Sequence, residues 1–302
     1  MRQKIRAYLD LLRVHFFFVW PILFLSGLFL AFQIYGNFSL TTIFQGMLIG
    51  FLGFEAGLVL NDIVDTNYDK KEVEFDKLTK YWRPFGKRPI SQGLISKQNA
   101  TVFFVMLVIF TSIVIFTLPF PNSIYIFTIM TICYCLEVFY QIIKRNEKYP
   151  FAQIIGRVDF ALFLVAGYLC VGNLDLNVLV LFLFFYPLAL AHLGINDLAD
   201  VVNDKEKGLQ TIPTLYGITG TVYWINAFSI IHFLTATIFF INFGTIALSG
   251  FALSFTLLLF VNLLIFKEKT TKVAIKVLPI FHVSMLVYAI SIIVNYLFIS
   301  FF

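Results

Sequence analysis

Residues 58–69 read LVLNDIVDTNYD, so an apolar segment runs directly into a row of acidic residues. Residues 193–204 read LGINDLADVVND and repeat Asn and Asp at the same offsets. Each segment ends an apolar run of about 20 residues, which is the length that a helix needs to cross a bilayer. The two segments therefore predict two membrane helices with matching acidic ends, in a chain built from two pseudo-repeated halves.

Comparable apolar runs occupy most of the remaining sequence. With 60% apolar residues, 13% charged residues and a mean hydropathy of +0.88, the composition excludes an ordinary soluble domain. We predict an all-α membrane protein with about nine transmembrane helices in one bundle, which forms a single domain over residues 1–302. The predicted spans are 14–33, 40–60, 100–118, 121–143, 152–173, 177–195, 221–242, 244–266 and 277–301.

The distribution of basic residues supports this number of spans, because all 22 Lys and Arg fall on alternate connections between the predicted helices. They lie in the N-terminal segment and around the connections after spans two, four, six and eight, whereas the opposite connections carry only Asp175 as a charged residue. Membrane proteins keep positive residues on the cytoplasmic side. We therefore expect a cytoplasmic N-terminus and an acidic site on the cytoplasmic face. Anionic lipid headgroups explain the isoelectric point near 9.0, and no nucleic acid partner is predicted.

The acidic repeat has the spacing of a metal site. In its first copy the aspartates recur at i, i+3 and i+7, which places their side chains on one face of a helix. Like charges at a helix C-terminus repel one another and the helix dipole, so a cation should compensate them. Mg²⁺ takes carboxylate oxygens and keeps positions free for substrate phosphates. One copy alone fits a solvated helix end equally well, but the matched pair favours a Mg²⁺ site between two acidic faces, one with Asp62, Asp65 and Asp69 and the other with Asp197, Asp200 and Asp204.

Basic residues near the acidic repeat are candidates for binding the phosphates of a substrate. The segment WRPFGKRPISQG at residues 82–93 contains Arg88, and Tyr140 and Lys144 lie one helical turn apart at the end of span four. A diphosphate leaving group needs such direct donors in addition to metal ions. A single Lys at the membrane interface usually just places its charged end in water and has no further role. Together with the acidic repeat, however, these residues predict a diphosphate pocket.

These motifs resemble those of the UbiA-type superfamily of intramembrane prenyltransferases. The first family motif is similar to NDIVDTNYD at residues 61–69, which is followed by RPISQGLIS at residues 88–96. The second is similar to DVVND at residues 200–204, with the trailing segment GLQTIPTLYG at residues 208–217. The family's Tyr-x-x-x-Lys element matches residues 140–144. The resemblance covers most of the chain and agrees with a bundle of nine helices.

The resemblance implies that a polyprenyl diphosphate binds through Mg²⁺ to both acidic motifs. The allylic carbon–oxygen bond would then ionise, and an acceptor would attack the carbocation. By this analogy the residues that bind diphosphate and metal are Asn61, Asp62, Asp65, Asp69, Asp200 and Asp204. The residues that contact the diphosphate directly are Arg88, Tyr140 and Lys144, with Asn61 in the same role.

The sequence departs from the resemblance where an acceptor would be recognised. Family members that prenylate 4-hydroxybenzoate typically carry Arg before the Ala-Gly that precedes the first motif, and this chain has Glu55 there. The Arg-Pro pair common in the first helix is here Arg13-Val14. Both departures argue against an aromatic carboxylate. They leave lipid acceptors such as geranylgeranylglyceryl phosphate, or other quinone precursors, as expected partners.

Two further residues are candidates for catalysis. Asp197 completes the second acidic repeat and is a possible base near the acceptor, while Arg157 could reach the acceptor or its phosphate. Snorkelling to the interface is an equally good explanation for Arg157. Because Arg157 and Asp159 are two residues apart on a predicted helix, we do not expect them to pair. His15 and His192 are weaker candidates for lining the same pocket, since a single His is more often a structural hydrogen-bonding residue.

A cation transporter is the alternative from a different functional class, because parallel repeats that carry intramembrane acids also form ion pathways. In a transporter, the acids should lie near the middle of the bilayer within broken helices. Here they lie at helix ends beside a basic loop. That placement favours a phosphorylated substrate, so prenyl transfer is the predicted function.

Overall fold

The computed structural model describes residues 2–240 and 244–301. Within these ranges all regular secondary structure is helical. A short 3₁₀ turn, Val14–Phe16, precedes the second helix, and a π turn, Phe75–Thr79, precedes the fourth. The helices are α1 (Arg2–Leu11), α2 (Val19–Tyr35), α3 (Leu40–Asp69), α4 (Lys80–Trp82), α5 (Lys97–Ile115), α6 (Asn122–Ile143), α7 (Phe151–Gly156), α8 (Val158–Tyr168), α9 (Leu176–Lys207), α10 (Ile212–Phe240), α11 (Thr245–Glu268) and α12 (Thr271–Phe301).

Nine segments of the described chain are long and apolar enough to cross a membrane, which confirms the predicted number of spans. The fifth of them, Phe151–Tyr168, is formed by α7 and α8 together. The main differences from prediction are at the ends of spans. The seventh begins at Ile212 and not at 221, and its predicted end at residue 242 lies outside the described residues.

The helices that carry the acidic motifs, α3 and α9, each pack mainly against three other helices. α3 packs against α2, α5 and α6, and α9 packs against α8, α10 and α12. The contacts of α2 with α8 and α12 join the two halves of the chain. The two motif helices thus belong to different halves, as the repeat predicts.

Two glycines allow α2 and α8 to cross very closely. A Cβ atom on Gly27 would lie 2.1 Å from the carbonyl oxygen of Leu164, and one on Gly167 would lie 1.9 Å from the carbonyl oxygen of Phe24. Small residues at such crossings let the backbones of membrane helices approach each other. The close crossing holds the aromatic residues of α2 and α8 beside one another.

Both motif helices are longer than a single membrane crossing requires. α3 has 30 residues and α9 has 32. At about 1.5 Å per residue these helices are roughly 45 Å long, whereas the hydrocarbon core of a bilayer is about 30 Å thick. The predicted spans 40–60 and 177–195 were therefore too short, because each helix continues through its acidic motif.

Gly208 ends α9 in the left-handed conformation, with φ of 70°, which other residues adopt only at a cost. Its N–H donates to the carbonyl of Lys205, and the N–H of Leu209 donates to that of Asp204 at 2.9 Å. The chain therefore turns back immediately after the second motif. This turn brings Thr211 against the end of the motif helix.

The connection between α3 and α5, which we call the cap loop (residues 70–96), folds over one end of the bundle. The side-chain oxygen of Asn203 in α9 accepts hydrogen bonds from the backbone N–H groups of Val73 and Glu74, at 3.0 and 2.9 Å. At the other end of the loop, the carboxylate of Asp10 in α1 accepts the N–H of Phe85 at 2.7 Å. The cap loop is thus tied to both the first helix and the second motif helix.

At the opposite end of the bundle, Asp175 caps α9 and joins it to its neighbours. Its carboxylate accepts the N–H groups of Asn177 and Val178 at 2.9 and 3.3 Å, and the hydroxyl of Tyr168 at 2.8 Å. Burial opposes the charge, but the hydrogen bonds from Tyr35 and Tyr168 lower the pKa of Asp175 below its usual value. The carboxylate is therefore ionised at neutral pH, and its contribution to stability is lost only as the pH falls through that lowered pKa.

Asp175→Ala should lower the free energy of unfolding by about 1–2 kcal/mol, because it removes a helix cap. Thermal melting of the purified protein in detergent measures the effect. Asp175→Asn is the matched control, since an amide oxygen still caps a helix. Equal melting temperatures for wild type and Asp175→Ala would show that the cap contributes nothing.

Candidate active site

One cavity of about 250 Å³ lies between the two acidic motifs, beneath the cap loop. Its walls contain carboxylates, basic side chains and aromatic rings from both halves of the chain. The predicted site residues that line it are Asn61, Asp65, Asp69, Arg88, Tyr140, Lys144, Arg157, Asp197, Asp200 and Asp204. Asp62 is the one predicted site residue that is not part of this lining.

The cavity-facing aspartates of the first motif form ion pairs with basic residues from distant parts of the chain. Lys144 Nζ lies 2.8 Å from Asp65 Oδ2, and Lys207 Nζ lies 2.9 Å from Asp69 Oδ1. Arg88 binds the other oxygen of Asp69 at 2.8 Å and also contacts Glu72. Each carboxylate therefore holds a cation at the cavity wall.

Lys144 and Arg88 are charged although the protein shields them from water. Burial alone would lower the pKa of Lys144, but the charge of Asp65 and its hydrogen bond raise this pKa above the usual value. Asp69 and Glu72 likewise raise the pKa of Arg88, against the effect of burial. The cavity thus presents positive charges that are shielded from bulk water, where they act more strongly on a phosphate group than they would in solution.

Asp62 lies on the same helix but is bound to a different partner. Both of its carboxylate oxygens accept hydrogen bonds from Arg83 Nη2, each at 2.8 Å, and Arg13 Nη2 lies 3.4 Å from Oδ1. Asp62 and Arg83 are almost completely buried, with 4% and 2% of their surfaces exposed. Arg83 also donates to the backbone carbonyl of Asp10, so this ion pair fixes the cap loop and α1 to α3.

The aspartates of the second motif have uncharged partners. Asp197 accepts the backbone N–H of Ile212 at 3.4 Å, Asp200 accepts a side-chain N–H of Asn203 at 2.7 Å, and Asp204 accepts the hydroxyl of Thr211 at 2.9 Å. Across residues 2–240 and 244–301, ion pairs form on all three aspartates of the first motif and on none of these three carboxylates. The second motif therefore lines the cavity with buried carboxylates, whose ionised form a bound cation would stabilise.

The donor set fits a metal ion that is shared with a substrate. Within the described residues, no three Asp, Glu, His or Cys side chains converge on one point as a complete metal site. Carboxylate oxygens instead approach the same cavity from α3 and α9. Mg²⁺ is usually bound by one or two carboxylates together with substrate phosphates, so this arrangement suits Mg²⁺ in complex with a diphosphate.

Arg157 lies at a break between two helices. The guanidinium of Arg157 lies 3.3 Å from Glu137, 3.8 Å from Asp159 and 4.2 Å from the ring centre of Tyr140. The prediction that Arg157 and Asp159 would not pair was wrong, because α7 ends at Gly156 and a new helix begins after Arg157. A helix break brings close two side chains that a continuous helix would separate.

Sequence reasoning missed several residues of the cavity. Lys207 and Thr211 lie in or next to the segment that follows the second motif, and Trp82 precedes Arg88 in the cap loop. Trp82 Nε1 donates to Asn196 Oδ1 at 3.1 Å, which ties the cap loop to α9. The position of Lys207, one turn after Asp204, is the signal that could have identified it.

The part of the cavity away from the charged groups is aromatic. The rings of Trp20 and Phe54 are stacked with centroids 3.8 Å apart, and Phe163 contacts Phe54 edge-on at 5.1 Å. Phe160 completes this wall. The cavity therefore has a charged end, suited to phosphates, and an apolar end, suited to a hydrocarbon chain.

Comparison with known proteins gives a consistent result. A sequence model of the UbiA prenyltransferase family matches residues 18–290. The digeranylgeranylglyceryl phosphate synthase of Haloquadratum walsbyi is 28% identical over 222 residues, which cover 72% of this chain and 70% of that protein. The protoheme IX farnesyltransferase of Aquifex aeolicus is 24% identical over 195 residues, which cover 64% of this chain and 62% of that protein.

A solved structure has the same fold. The UbiA homolog from Archaeoglobus fulgidus, bound to GPP and Mg²⁺, aligns with a TM-score of 0.66 over 95% of this chain and 99% of that chain. The two sequences are 16% identical, so the likeness concerns the fold. It confirms the predicted all-helical membrane bundle.

Proposed function

Because the chain belongs to the UbiA prenyltransferase family, we propose that it transfers a polyprenyl group from an allylic prenyl diphosphate to a membrane-associated acceptor. The observation that carries this proposal is the single cavity in which carboxylates of both motifs meet basic side chains and an aromatic wall. A prenyl diphosphate has the matching parts: a highly charged head, which needs metal ions and basic groups, and an apolar tail.

We propose that Mg²⁺ is held by carboxylate oxygens from both motifs, those of Asp65, Asp69, Asp200 and Asp204. Bound there, Mg²⁺ would neutralise negative charge on the departing diphosphate as a Lewis acid. Asp62 belongs to the same predicted ligand set, but its oxygens are bound by Arg83 in this structure. To bind Mg²⁺, the carboxylate of Asp62 would have to release Arg83.

Basic residues at the cavity wall would stabilise the leaving group directly. Lys144 and Lys207 are buried, Arg88 is partly buried, and each can donate N–H groups to phosphate oxygens. Asn61 is oriented by its hydrogen bond to Glu137 at 2.7 Å and supplies an uncharged polar contact. Donors that are already in place when the carbon–oxygen bond breaks lower the barrier, because they need not reorganise.

The aromatic wall and Asp197 would act on the allylic carbocation. The faces of Trp20, Phe54 and Phe160 would stabilise positive charge and keep out water, which would otherwise trap the cation as an alcohol. We propose that the carboxylate of Asp197 lies beside the reacting groups and stabilises the cation electrostatically. Arg157, which lines the same cavity, is proposed to meet the acceptor or its phosphate.

A lipid such as geranylgeranylglyceryl phosphate, or a quinone precursor, is the proposed acceptor class. Glu55 is fully buried in α3, and neither carboxylate oxygen has a hydrogen-bond partner among the described residues. Glu55 stands where family members that prenylate 4-hydroxybenzoate typically carry Arg, so this chain has no basic group at that position to attract the carboxylate of an aromatic acid. Similarity to a digeranylgeranylglyceryl phosphate synthase supports the lipid within this class.

The test of the function is an assay on the purified protein with Mg²⁺ and labelled prenyl diphosphates from farnesyl to long-chain donors. Acceptors should include both aromatic compounds and glycerol phosphates that carry a prenyl chain. We expect release of diphosphate and a prenylated product, both abolished when EDTA removes Mg²⁺. If no combination gives diphosphate or product, prenyl transfer is excluded and the transporter alternative returns.

We propose further that the cavity opens on the cytoplasmic face, because the basic residues of alternate connections all lie at its end of the bundle. Reporter fusions test this orientation. Alkaline phosphatase, which is active only outside the cytoplasm, should be active when fused after Asn173 and inactive when fused after Asn146. The reverse pattern would place the cavity on the far side.

A further inference from the structure

Two histidines from different helices form a direct hydrogen bond beside the cavity. His192 in α9 lines the cavity, and its Nε2 lies 2.7 Å from Nε2 of His282 in α12. One of the two Nε2 atoms must carry a hydrogen and donate it, and the other must accept it. The Nε2 atom of His192 is thus occupied, and Nδ1 is the ring nitrogen available to a molecule in the cavity.

The hydrogen-bonded chain continues away from the cavity. Nδ1 of His282 lies 2.6 Å from the hydroxyl of Tyr81 in α4, which is half-buried. The carbonyl of Tyr81 accepts a hydrogen bond from His15, an exposed residue, at 2.9 Å. Three ionisable side chains, those of His192, His282 and Tyr81, are therefore hydrogen-bonded in sequence from the cavity wall to the half-buried Tyr81 of the cap loop.

Prenyl transfer to a hydroxyl acceptor produces a proton that must leave the cavity. Four side chains of α9 that line the cavity could accept it, and two of them, Asp200 and Asp204, are assigned above to Mg²⁺. Asp197 and His192 remain. The carboxylate of Asp197 is hydrogen-bonded to the backbone N–H of Ile212, which cannot pass a proton onward. Of these two groups, only His192 has a partner through which the proton can continue, because imidazole accepts a proton at one nitrogen and releases one from the other.

We propose that His192, His282 and Tyr81 form a proton relay that deprotonates a hydroxyl acceptor during prenyl transfer. The proposal rests on the proposed function. The allylic carbon–oxygen bond breaks and its electron pair leaves with the diphosphate, while a lone pair of the acceptor hydroxyl forms the new bond to the allylic carbon. The hydroxyl proton passes to Nδ1 of His192, and His192 releases the proton on its Nε2 to Nε2 of His282. His282 then releases the proton on its Nδ1 to the hydroxyl oxygen of Tyr81. Tyr81 loses its original hydroxyl proton to water.

A purely structural role for the two histidines is the competing explanation, since their hydrogen bond also joins α9 to α12. The chain supplies a matched control for it. His232 in α10 is fully buried and makes the same kind of link, with Nδ1 donating to the carbonyl of Phe184 and Nε2 close to the hydroxyl of Tyr288. His232 does not line the cavity, so His232→Gln loses an interhelical bond without touching the relay.

His192→Ala is expected to lower formation of the prenylated product by about a hundredfold, while donor binding is retained. Added imidazole should restore turnover, because it can take the place of the missing ring and pass a proton to His282. Added 1-methylimidazole should not, because it fills the same space but can carry a proton at only one nitrogen. Tyr81→Phe should reduce turnover roughly tenfold, and His232→Gln should leave it unchanged.

Equal rescue by both compounds would mean that the ring only fills space, and it would overturn the relay. Wild-type turnover in His192→Ala or in Tyr81→Phe would also overturn it. If neither compound restores the turnover of His192→Ala, the turnover of Tyr81→Phe decides whether the relay exists, and reduced turnover in that variant supports it. A wild-type protein that releases no diphosphate with any donor would instead refute the proposed function.

Discussion

Asp200→Asn is expected to reduce prenyl transfer by about a thousandfold while leaving the protein folded. The side chain is buried in the cavity, and its recorded partner is the amide of Asn203, 2.7 Å away. Exchanging the carboxylate for an amide therefore removes negative charge without leaving a buried cation unpaired. If Asp200 binds Mg²⁺, the variant loses an anionic ligand that an amide replaces poorly.

Steady-state assays over a range of Mg²⁺ concentrations measure this effect, together with thermal melting to verify the fold. Asp65→Asn should be inactive as well, although it also deprives Lys144 of its ion pair and should melt earlier. Asp76→Asn is the control, because Asp76 is an exposed residue of the cap loop that does not line the cavity. Turnover near the wild-type rate in Asp200→Asn would contradict a metal site shared by both motifs.

Asp62→Asn should destabilise the protein by about 3 kcal/mol or more, the largest effect on stability that we expect from a single exchange. The guanidinium of Arg83 would remain buried without a compensating carboxylate, and the neighbouring Arg13 would lose its ion pair too. The cap loop, which this ion pair holds against α3, should loosen with it. The pair is thus costly to break even though a buried ion pair is a weak source of net stability.

Thermal melting and limited proteolysis of the cap loop measure this loss. The double variant Asp62→Leu/Arg83→Met should recover most of the stability, since it removes both charges together. Activity distinguishes the metal role predicted for Asp62 from a structural one. A stable Asp62→Asn protein that needs much more Mg²⁺ would favour the metal role, whereas early melting with an unchanged Mg²⁺ requirement would favour the structural role.

The sequence alone predicted the architecture because each of its determinants is local. Span number follows from apolar length, and the shared acidic face follows from the spacing of Asp62, Asp65 and Asp69 along one helix. Extension of α3 through its motif was underestimated, since the predicted span ended where apolar residues ended. Hydropathy locates the hydrocarbon region, but helical hydrogen bonding continues beyond it.

The pairing of charges could not be predicted in the same way. Asp65 meets Lys144, and Asp69 meets Lys207, across long stretches of sequence that only the packed bundle brings together. The sequence marks the helix break at Arg157 only weakly, by Gly156 next to it. The structure shows why a glycine stands there, since a Cβ atom would lie 2.7 Å from that of Tyr140. The hydrogen bond between the two histidines likewise depends on how the helices pack, which neither residue reveals in its own segment.

The length of α3 and α9 has a consequence for how substrate reaches the protein. Their motif ends stand roughly 15 Å beyond what a single hydrocarbon crossing requires, so a charged head can be held at the interface while its tail remains among lipid chains. Each methylene group moved from lipid into water costs about 0.8 kcal/mol, so a long isoprenoid stays dissolved in the bilayer. Donor supply then depends on lateral diffusion in two dimensions. Turnover should follow the mole fraction of donor in the membrane, and diluting the membrane with inert lipid should slow the reaction even when the total amounts of protein and donor are unchanged.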